Sequence, residues 1–474
     1  MKTFDNLYSE IISLPNLYSA FEKAKKGKKK ARVIKFEKNL HENLWNLHCE
    51  LLNKTYKLMP YFTFYVTDYK KRKIMCPNFR DQVVQHAIFN YLEQIYEKIF
   101  IYDSYACRKD KGTHKACLRL RKFIHKHSSE EYFMKCDITK YFYSIDHQKL
   151  KSLVRNKIKD NEVLLLIDLI IDSHCEERLP SHVDNPACIT QEKGIPIGNL
   201  TSQLFANIYL NELDYFVKHE LRIEHYVRYV DDFVLLGKNN NELRKDFSRI
   251  QTFLSESLFL KLEERKTQIN TLSFGVDFAG YVCFKRFARV RTRNYRRFVE
   301  KFKVKLSAYL SEELSFKKVQ ASFVSYGGHL SHTDSNKIKE RIEVAFVKVI
   351  AKKAVQRGGN WNNGANAGPF NANLNNDPTN TNNNIGFRCC SEQEAKIASL
   401  RRYYTPHVQL QLHSLKTQAE NLSLMKTGAG TEQLECCSSC DEFKVKDVSL
   451  SLSTRRQNRG NIDVVEYNEK RRRY

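Results

Sequence analysis

No run of apolar residues in this chain is long enough to cross a bilayer. A spanning helix needs ~20 of them, and the longest candidate, Val163 to Ile171, is interrupted by Asp168. The opening residues, MKTFDNLYSE, lack the apolar core of a secretory signal. Both absences lead to the expectation of a cytoplasmic protein with no membrane partner. Cysteine is not arranged as a framework: the 13 thiols are scattered and odd in number, as in a reduced compartment. Acidic charge is also short. Asp plus Glu number 54 against 79 Lys plus Arg, a formal +25. Such an excess favours a polyanionic partner through neutralised phosphates and released counterions. An acidic membrane surface competes as partner, weakened by the missing apolar run. What is present suits a globular protein: 474 residues, 42% hydrophobic, with room for two or three domains.

The stretch that organises the chain is Tyr226 to Gly237, YVRYVDDFVLLG. Apolar and aromatic residues flank two adjacent aspartates, the pattern of a β-hairpin whose turn carries chemistry. Asp231 alone would pass as a turn residue. The pair is different, because neighbouring carboxylates between apolar strands repel unless a cation offsets them. Mg²⁺ takes oxygen ligands and bridges carboxylates to phosphates in phosphoryl transfer. A metal site at the hairpin tip is therefore expected.

This string resembles the YxDD signature of reverse transcriptases, and the resemblance demands a third carboxylate at the end of an upstream strand. Asp137 meets it. Residues 132–138, YFMKCDI, read as a buried strand ending in Asp, whereas Asp146 reads as a helix N-cap. Strand, Asp and then Phe142 resemble the first polymerase motif, whose aromatic lies against the sugar 2′ position and excludes ribonucleotides. Residues 61–75, YFTFYVTDYKKRKIM, read as an antiparallel pair with a basic turn, followed by a helix from FRDQVVQHA. In bacterial group II-like reverse transcriptases a Lys-x-Arg pair on such strands contacts the incoming triphosphate, which implies that role for Lys70 and Arg72. The family usually shows Arg-Asp-Arg next, where this chain has Arg80-Asp81-Gln82. Asp103 to Ala116 also resembles the fingers region, making Arg108 and Lys111 candidate template contacts.

Gly194 to His219 reads as a flexible turn followed by a helix burying Phe205, Tyr209, Leu213 and Phe216. Glycine at Gly198 would let the backbone approach a template nucleotide. Most reverse transcriptases carry Gln-Gly-x-x-x-Ser-Pro here. This chain has Ile197, Gly198, Ser202 and Gln203 at the matching positions, the form typical of diversity-generating retroelements, which copy a template RNA and misincorporate opposite adenines. The resemblance implies that Ile197, Gly198, Ser202 and Gln203 bear on template and fidelity, with Gln203 also near the nucleotide. Leu258 to Ile269 resembles the next motif, so Lys266 is the candidate to bind the nucleotide and protonate pyrophosphate; an exposed salt-bridging lysine is the alternative. Gly275 to Tyr281 resembles the hairpin that grips the primer, with Ala279 where the family prefers Leu. A basic run then carries Arg286, Arg289, Arg291 and Arg293 among aromatics, suited to nucleic-acid backbone contact. Phe298, Phe302, Leu306 and Tyr309 follow on one helical face.

From Arg357 to Arg388 the composition changes to asparagine, almost free of charge, which alone reads as a disordered linker. Its RGGNW and NNNIGFR resemble the variable strands of the lectin-like proteins that such retroelements diversify. Asparagine codons begin with two adenines, so the segment reads as a translated template repeat. The CCSSC cluster (Cys436, Cys437, Cys440) lacks a second ligand pair for zinc.

The fold expected is an α+β right-hand polymerase with fingers, a ferredoxin-like palm, a helical thumb and a low-complexity C-terminal extension. Its expected divisions are a basic helical region at 1–60, fingers and palm at 61–284, thumb at 285–355, the asparagine-rich segment at 356–390 and an unassigned 391–474. The resemblance implies an RNA-directed DNA polymerase using template RNA, a primer or cDNA and deoxynucleoside triphosphates. Asp137, Asp231 and Asp232 would hold two Mg²⁺ ions (or Mn²⁺), and a small basic accessory protein would assist. The alternatives are a group II intron-like reverse transcriptase without diversification, a viral RNA polymerase, and a catalytically silent RNA-binding protein.

Overall fold

The N-terminal helices exist because their apolar residues fall on one stripe. The computed structural model describes residues 2–67, 71–173 and 192–357, with side-chain surroundings as far as residue 346. All of these lie in one of the chain's two compact units, Met1–Gln409. Lys70, the asparagine-rich segment from 358 and the CCSSC cluster lie outside the described residues. The first elements are α1 (Tyr8–Ile12), α2 (Leu14–Lys25), α3 (Ala31–Lys38) and α4 (Leu40–Leu52). In α2, Leu17, Ala20, Phe21 and Ala24 are buried at the i, i+3, i+4, i+7 spacing of a core-facing stripe. They share one core with Val83, Val84, Ala87 and Ile88 of α5 (Phe79–Glu97). The basic run here is only partly a solvated face. Lys23 donates to Asn90, Lys28 to Gln82 and Arg32 to Cys76, and Lys25 pairs with Glu37. Four basic side chains of this N-terminal region are thus tied into the protein.

Between these helices stands an antiparallel ribbon, β1 (Phe62–Thr67) and β2 (Lys71–Cys76). Every residue of β1 is exposed. The ribbon is joined to the following motif where Met75 donates its backbone N–H to the Ile197 carbonyl at 2.9 Å.

After α6 (Thr113–His125) comes β3 (Tyr132–Asp137), then α7 (Tyr141–Ser144), α8 (His147–Arg155), α9 (Asn161–Asp172) and α10 (Leu200–Tyr215). Asp146 caps α8, accepting from the Lys149 N–H at 2.9 Å. The hairpin follows as β4 (Tyr226–Tyr229) and β5 (Asp232–Gly237), then α11 (Asn240–Ser257) and β6 (Gln268–Thr271). These strands form one antiparallel sheet in the order β4-β5-β3-β6. Strand alternation gives the sheet two faces. Met134, Cys136, Phe233 and Leu235 join the main core with the helices. Phe133, Lys135, Asp137 and their cross-strand partners Leu236, Val234 and Asp232 occupy the other face.

A second sheet is built from β7 (Val276–Phe278), β8 (Tyr281–Cys283) and β9 (Ala288–Val290). Ala279 and Gly280 form its first turn with φ of 48° and 93°, the left-handed pair that tight hairpins require. Three helices end the described chain: α12 (Thr292–Leu310), α13 (Phe316–Leu330) and α14 (Asn336–Arg357). Phe302, Leu306 and Tyr309 are buried, while Phe298 is half-buried and stacks on Tyr326 with ring centroids 3.6 Å apart. Among the described residues no helix is long and apolar enough to cross a membrane.

Candidate active site

The site is assembled by pairing register. Asp137, the last residue of β3, lies directly opposite Asp232, the first of β5. Tyr229 also pairs with Asp232, so Val230 and Asp231 alone form the turn between β4 and β5. Val230 sits at φ 57°, a left-handed conformation that a β-branched residue adopts only when its surroundings hold it there. Behind it, the fully buried Arg228 donates to the Val230 carbonyl at 3.0 Å. Arg228 itself is gripped by the buried Asp214 through two bonds of 2.7 and 2.6 Å. The Tyr226 hydroxyl donates to the same carboxylate at 2.7 Å.

Burial raises the Asp231 carboxyl above the usual carboxylate range, helped by the charge of Asp137. Burial pushes Asp232 up to about 7; Lys135 pulls against it, while Asp137 and Asp231 add to it. Two ammonium groups answer this charge. Lys135 lies 3.4 Å from Asp232 and donates to the Asp277 carbonyl at 2.6 Å. Lys266, half-exposed, donates to Asp137 at 2.5 Å, so the salt-bridging alternative for this lysine is realised here. Among the described residues no three acidic, His or Cys side chains are gathered closely enough to cage an ion. The donor set nonetheless fits a hard divalent cation. It offers three carboxylates from two adjoining elements, and Asp232 Oδ1 is buried with no hydrogen-bond partner, the state that a cation would relieve.

Arg72, exposed on β2, pulls weakly against the burial that raises the Asp231 carboxyl, so it shares the electrostatic neighbourhood of the aspartates. Phe142 is half-buried against the core, and its carbonyl accepts from Ile195 at 2.8 Å. That bond links the first motif to the Ile197–Gln203 segment. Ser202 is buried with an unpartnered hydroxyl, whereas Gln203 is exposed on α10.

Gly198 has a structural requirement of its own. A Cβ built on it would stand 2.4 Å from the Met75 carbonyl oxygen, and its φ is +133°. The approach of β2 by itself requires glycine here. Gly198→Ala is therefore expected to destabilise the protein by about 2–4 kcal/mol through backbone strain and overlap. Thermal melting checks this, and an unchanged midpoint would contradict it.

One more candidate, Arg108, is corrected, and a second, Lys111, is found engaged within the chain. Arg108 is almost fully buried, pairs with Glu97 and donates to the Ile101 and Ser104 carbonyls. Its fork is spent inside the fold, so it is not a template contact. Lys111 lies over the Tyr102 and Tyr105 rings and donates to the Tyr102 carbonyl. In the basic run, Arg291 is paired with Asp277. Arg286, Arg289 and Arg293 have exposed side chains, and Arg289 lies over the Phe284 ring. Sequence reading missed Arg228, Asp214 and Lys135. The available signal was a charged residue at an inward position of an otherwise apolar strand, for Arg228 and Lys135, or on the buried face of a helix, for Asp214.

Carboxylates at a strand end and a hairpin turn, with cationic side chains nearby, are the kind of arrangement that phosphoryl-transfer chemistry uses. Residues 67–283 match the family described as reverse transcriptase (RNA-dependent DNA polymerase). Protein YkfC of Escherichia coli K12 is 26% identical over 280 residues, covering 51% of this chain and 71% of that protein. The group II intron-encoded protein LtrA of Lactococcus lactis is 26% identical over 361 residues, covering 61% of this chain and 58% of LtrA. An apo telomerase structure from Candida tropicalis overlays with a TM-score of 0.36 at 13% identity, covering 51% of this chain and 58% of that one. That score is too low to bear on the fold. Residues 67–283 match a reverse transcriptase domain and the chain is similar to group II intron-encoded proteins, which together support an RNA-directed DNA polymerase.

Proposed function

We propose that this chain copies a template-repeat RNA into cDNA with errors at adenines, within a diversity-generating retroelement. In this reading the sheet β4-β5-β3-β6 is the palm, the β1–β2 ribbon with the N-terminal helices forms the fingers, and α12–α14 are the thumb. The observation that carries the chemistry is the pairing of Asp137 with Asp232 beside the Asp231 turn. Asp137, Asp231 and Asp232 would hold two Mg²⁺ or Mn²⁺ ions, which when bound activate the primer 3′-hydroxyl and steady the leaving pyrophosphate. Arg72 and Lys70 bind the triphosphate, Arg72 by its planar fork. Lys266 moves a proton to the departing group, and Phe142 excludes a 2′-hydroxyl. Arg286, Arg289 and Arg293 neutralise nucleic-acid phosphates. A small basic accessory protein presents the template.

The diversifying role rests on Ile197 and Gln203, and on the asparagine-rich segment that follows α14. Purified protein is expected to extend a primer on RNA with deoxynucleotides and Mg²⁺, with substitutions concentrated opposite template adenines. Errors spread evenly over the four bases would sink the diversifying role and leave the polymerase standing. Evenly spread errors would favour the second reading, a group II intron-like enzyme without diversification, which the likeness to LtrA supports. A chain ending at Arg357 should keep wild-type extension, since the segment beyond is read as template and not enzyme. Inactivation by that truncation would show that the tail belongs to the working fold.

A further inference from the structure

We infer that Arg228 is a positioning residue for the acidic site, acting through the Val230 carbonyl. The inference rests on reading Asp137, Asp231 and Asp232 as the metal-holding carboxylates. Val230 holds a left-handed backbone, φ 57°, which a β-branched side chain disfavours. Its conformation directs Asp231, the next residue. The contact that holds the turn from behind is Arg228 Nη1 to the Val230 oxygen at 3.0 Å.

The remaining guanidinium N–H groups explain how this contact is aimed. Nε and Nη2 bond Asp214 Oδ1 and Oδ2 at 2.7 and 2.6 Å, and Nη1 also reaches Asn207 Oδ1 at 3.2 Å. Both side chains of the ion pair are completely buried. Tyr226 adds a third bond to Asp214. Asp214 and Asn207 both stand on α10, the helix that opens just after Gly198. The Arg228 backbone is held separately, its N–H donating to Asp103 and its carbonyl accepting from Tyr105, each at 3.0 Å. The side chain can therefore change without releasing the strand.

A buried ion pair is a poor device for stability, because apolar residues of similar volume often replace it without loss. What apolar residues cannot replace is a rigid donor aimed at the turn carbonyl. That distinction gives the test. In Asp214→Leu/Tyr226→Phe/Arg228→Met every charged or donating partner of the network is removed together, so no buried charge is stranded.

Three measurements are made beside wild type: melting of the metal-free protein, Mn²⁺ affinity by electron paramagnetic resonance, and kcat and KM for primer extension. The triple variant is expected to melt within a few degrees of wild type. Its Mn²⁺ affinity should fall at least tenfold and its kcat roughly a hundredfold, with KM for the template–primer little changed. Wild-type Mn²⁺ affinity and kcat in the folded variant would overturn the inference. If the triple variant does not fold, Arg228→Lys serves, since it keeps the charge opposite Asp214 but loses the fork. It should show the same loss of Mn²⁺ affinity, and wild-type affinity there would equally overturn the inference. Asp231→Ala is assayed in parallel. If Asp231→Ala polymerises normally, the reading of the site fails. If it is inactive while the Arg228 variants bind Mn²⁺ and turn over normally, only the positioning role fails.

Discussion

Asp137→Ala and Asp231→Ala are each expected to abolish RNA-templated primer extension while the protein stays folded. Each change removes a carboxylate from the proposed metal site, and losing several kcal/mol of charge stabilisation corresponds to roughly 10³-fold or more in rate. Stability should hold or rise, because burial and the neighbouring Asp137 charge already disfavour the ionised Asp231. Asp137→Ala leaves Lys266 without its carboxylate, but that ammonium is half-exposed and can be solvated. Steady-state extension rates and thermal melts, taken together, check the claim. An alanine variant extending primer at the wild-type rate would end the assignment of these aspartates. A variant that is inactive only because it has melted would leave the chemistry to be tested with Asn at the same position.

Asp232→Asn is expected to stabilise the metal-free protein, and to do so by an amount that depends on pH. The Asp232 carboxyl is raised to about 7 in the folded protein, first by burial, against an ordinary value near 3.9. Above about pH 7 the folded chain therefore carries a carboxylate that its surroundings penalise. Between about pH 7 and pH 4 the folded state takes up the proton before the unfolded state does, so wild-type stability from this group rises as pH falls. Below about pH 4 both states are protonated and the difference vanishes. Asparagine mimics the protonated group at every pH. Its advantage over wild type should be largest near pH 8, at most about 4 kcal/mol at 1.4 kcal/mol per unit, and should shrink through that window. Melts of both proteins between pH 4 and pH 8 without added metal decide it. An advantage that grows on acidification would refute the assigned environment. Added Mg²⁺ should narrow the gap at pH 8, since a cation stabilises only the ionised wild-type site.

The sequence by itself determined the strands and helices that carry the three aspartates. Alternation around Asp231 and Asp232 specified a hairpin, and the apolar run before Asp137 specified a strand, because these patterns follow from a period of two. The stripes Leu17 to Ala24 and Phe302 to Tyr309 specified helices in the same way. The tertiary structure alone decided which charged side chains face inward. Arg108 and Arg228 are both arginines in chemically suggestive strings, yet one is spent on Glu97 and two carbonyls, and the other on Asp214 and the Val230 turn. Gly198 reads as a glycine made for a ligand, but its missing Cβ makes room for the Met75 carbonyl. Lys135 lies two residues from Asp137 on the same strand face, and only the strand register brings it to Asp232. The physical reason is common to all four. Periodicity is a property of neighbours in the chain and is written locally. The partner of a charge, or the occupant of a glycine's empty space, is chosen by how the chain folds back, whether 14 residues away, as Asp214 is from Arg228, or 142, as Asp277 is from Lys135. A buried charge must find that partner, because unpaired burial costs more than any local pattern can return.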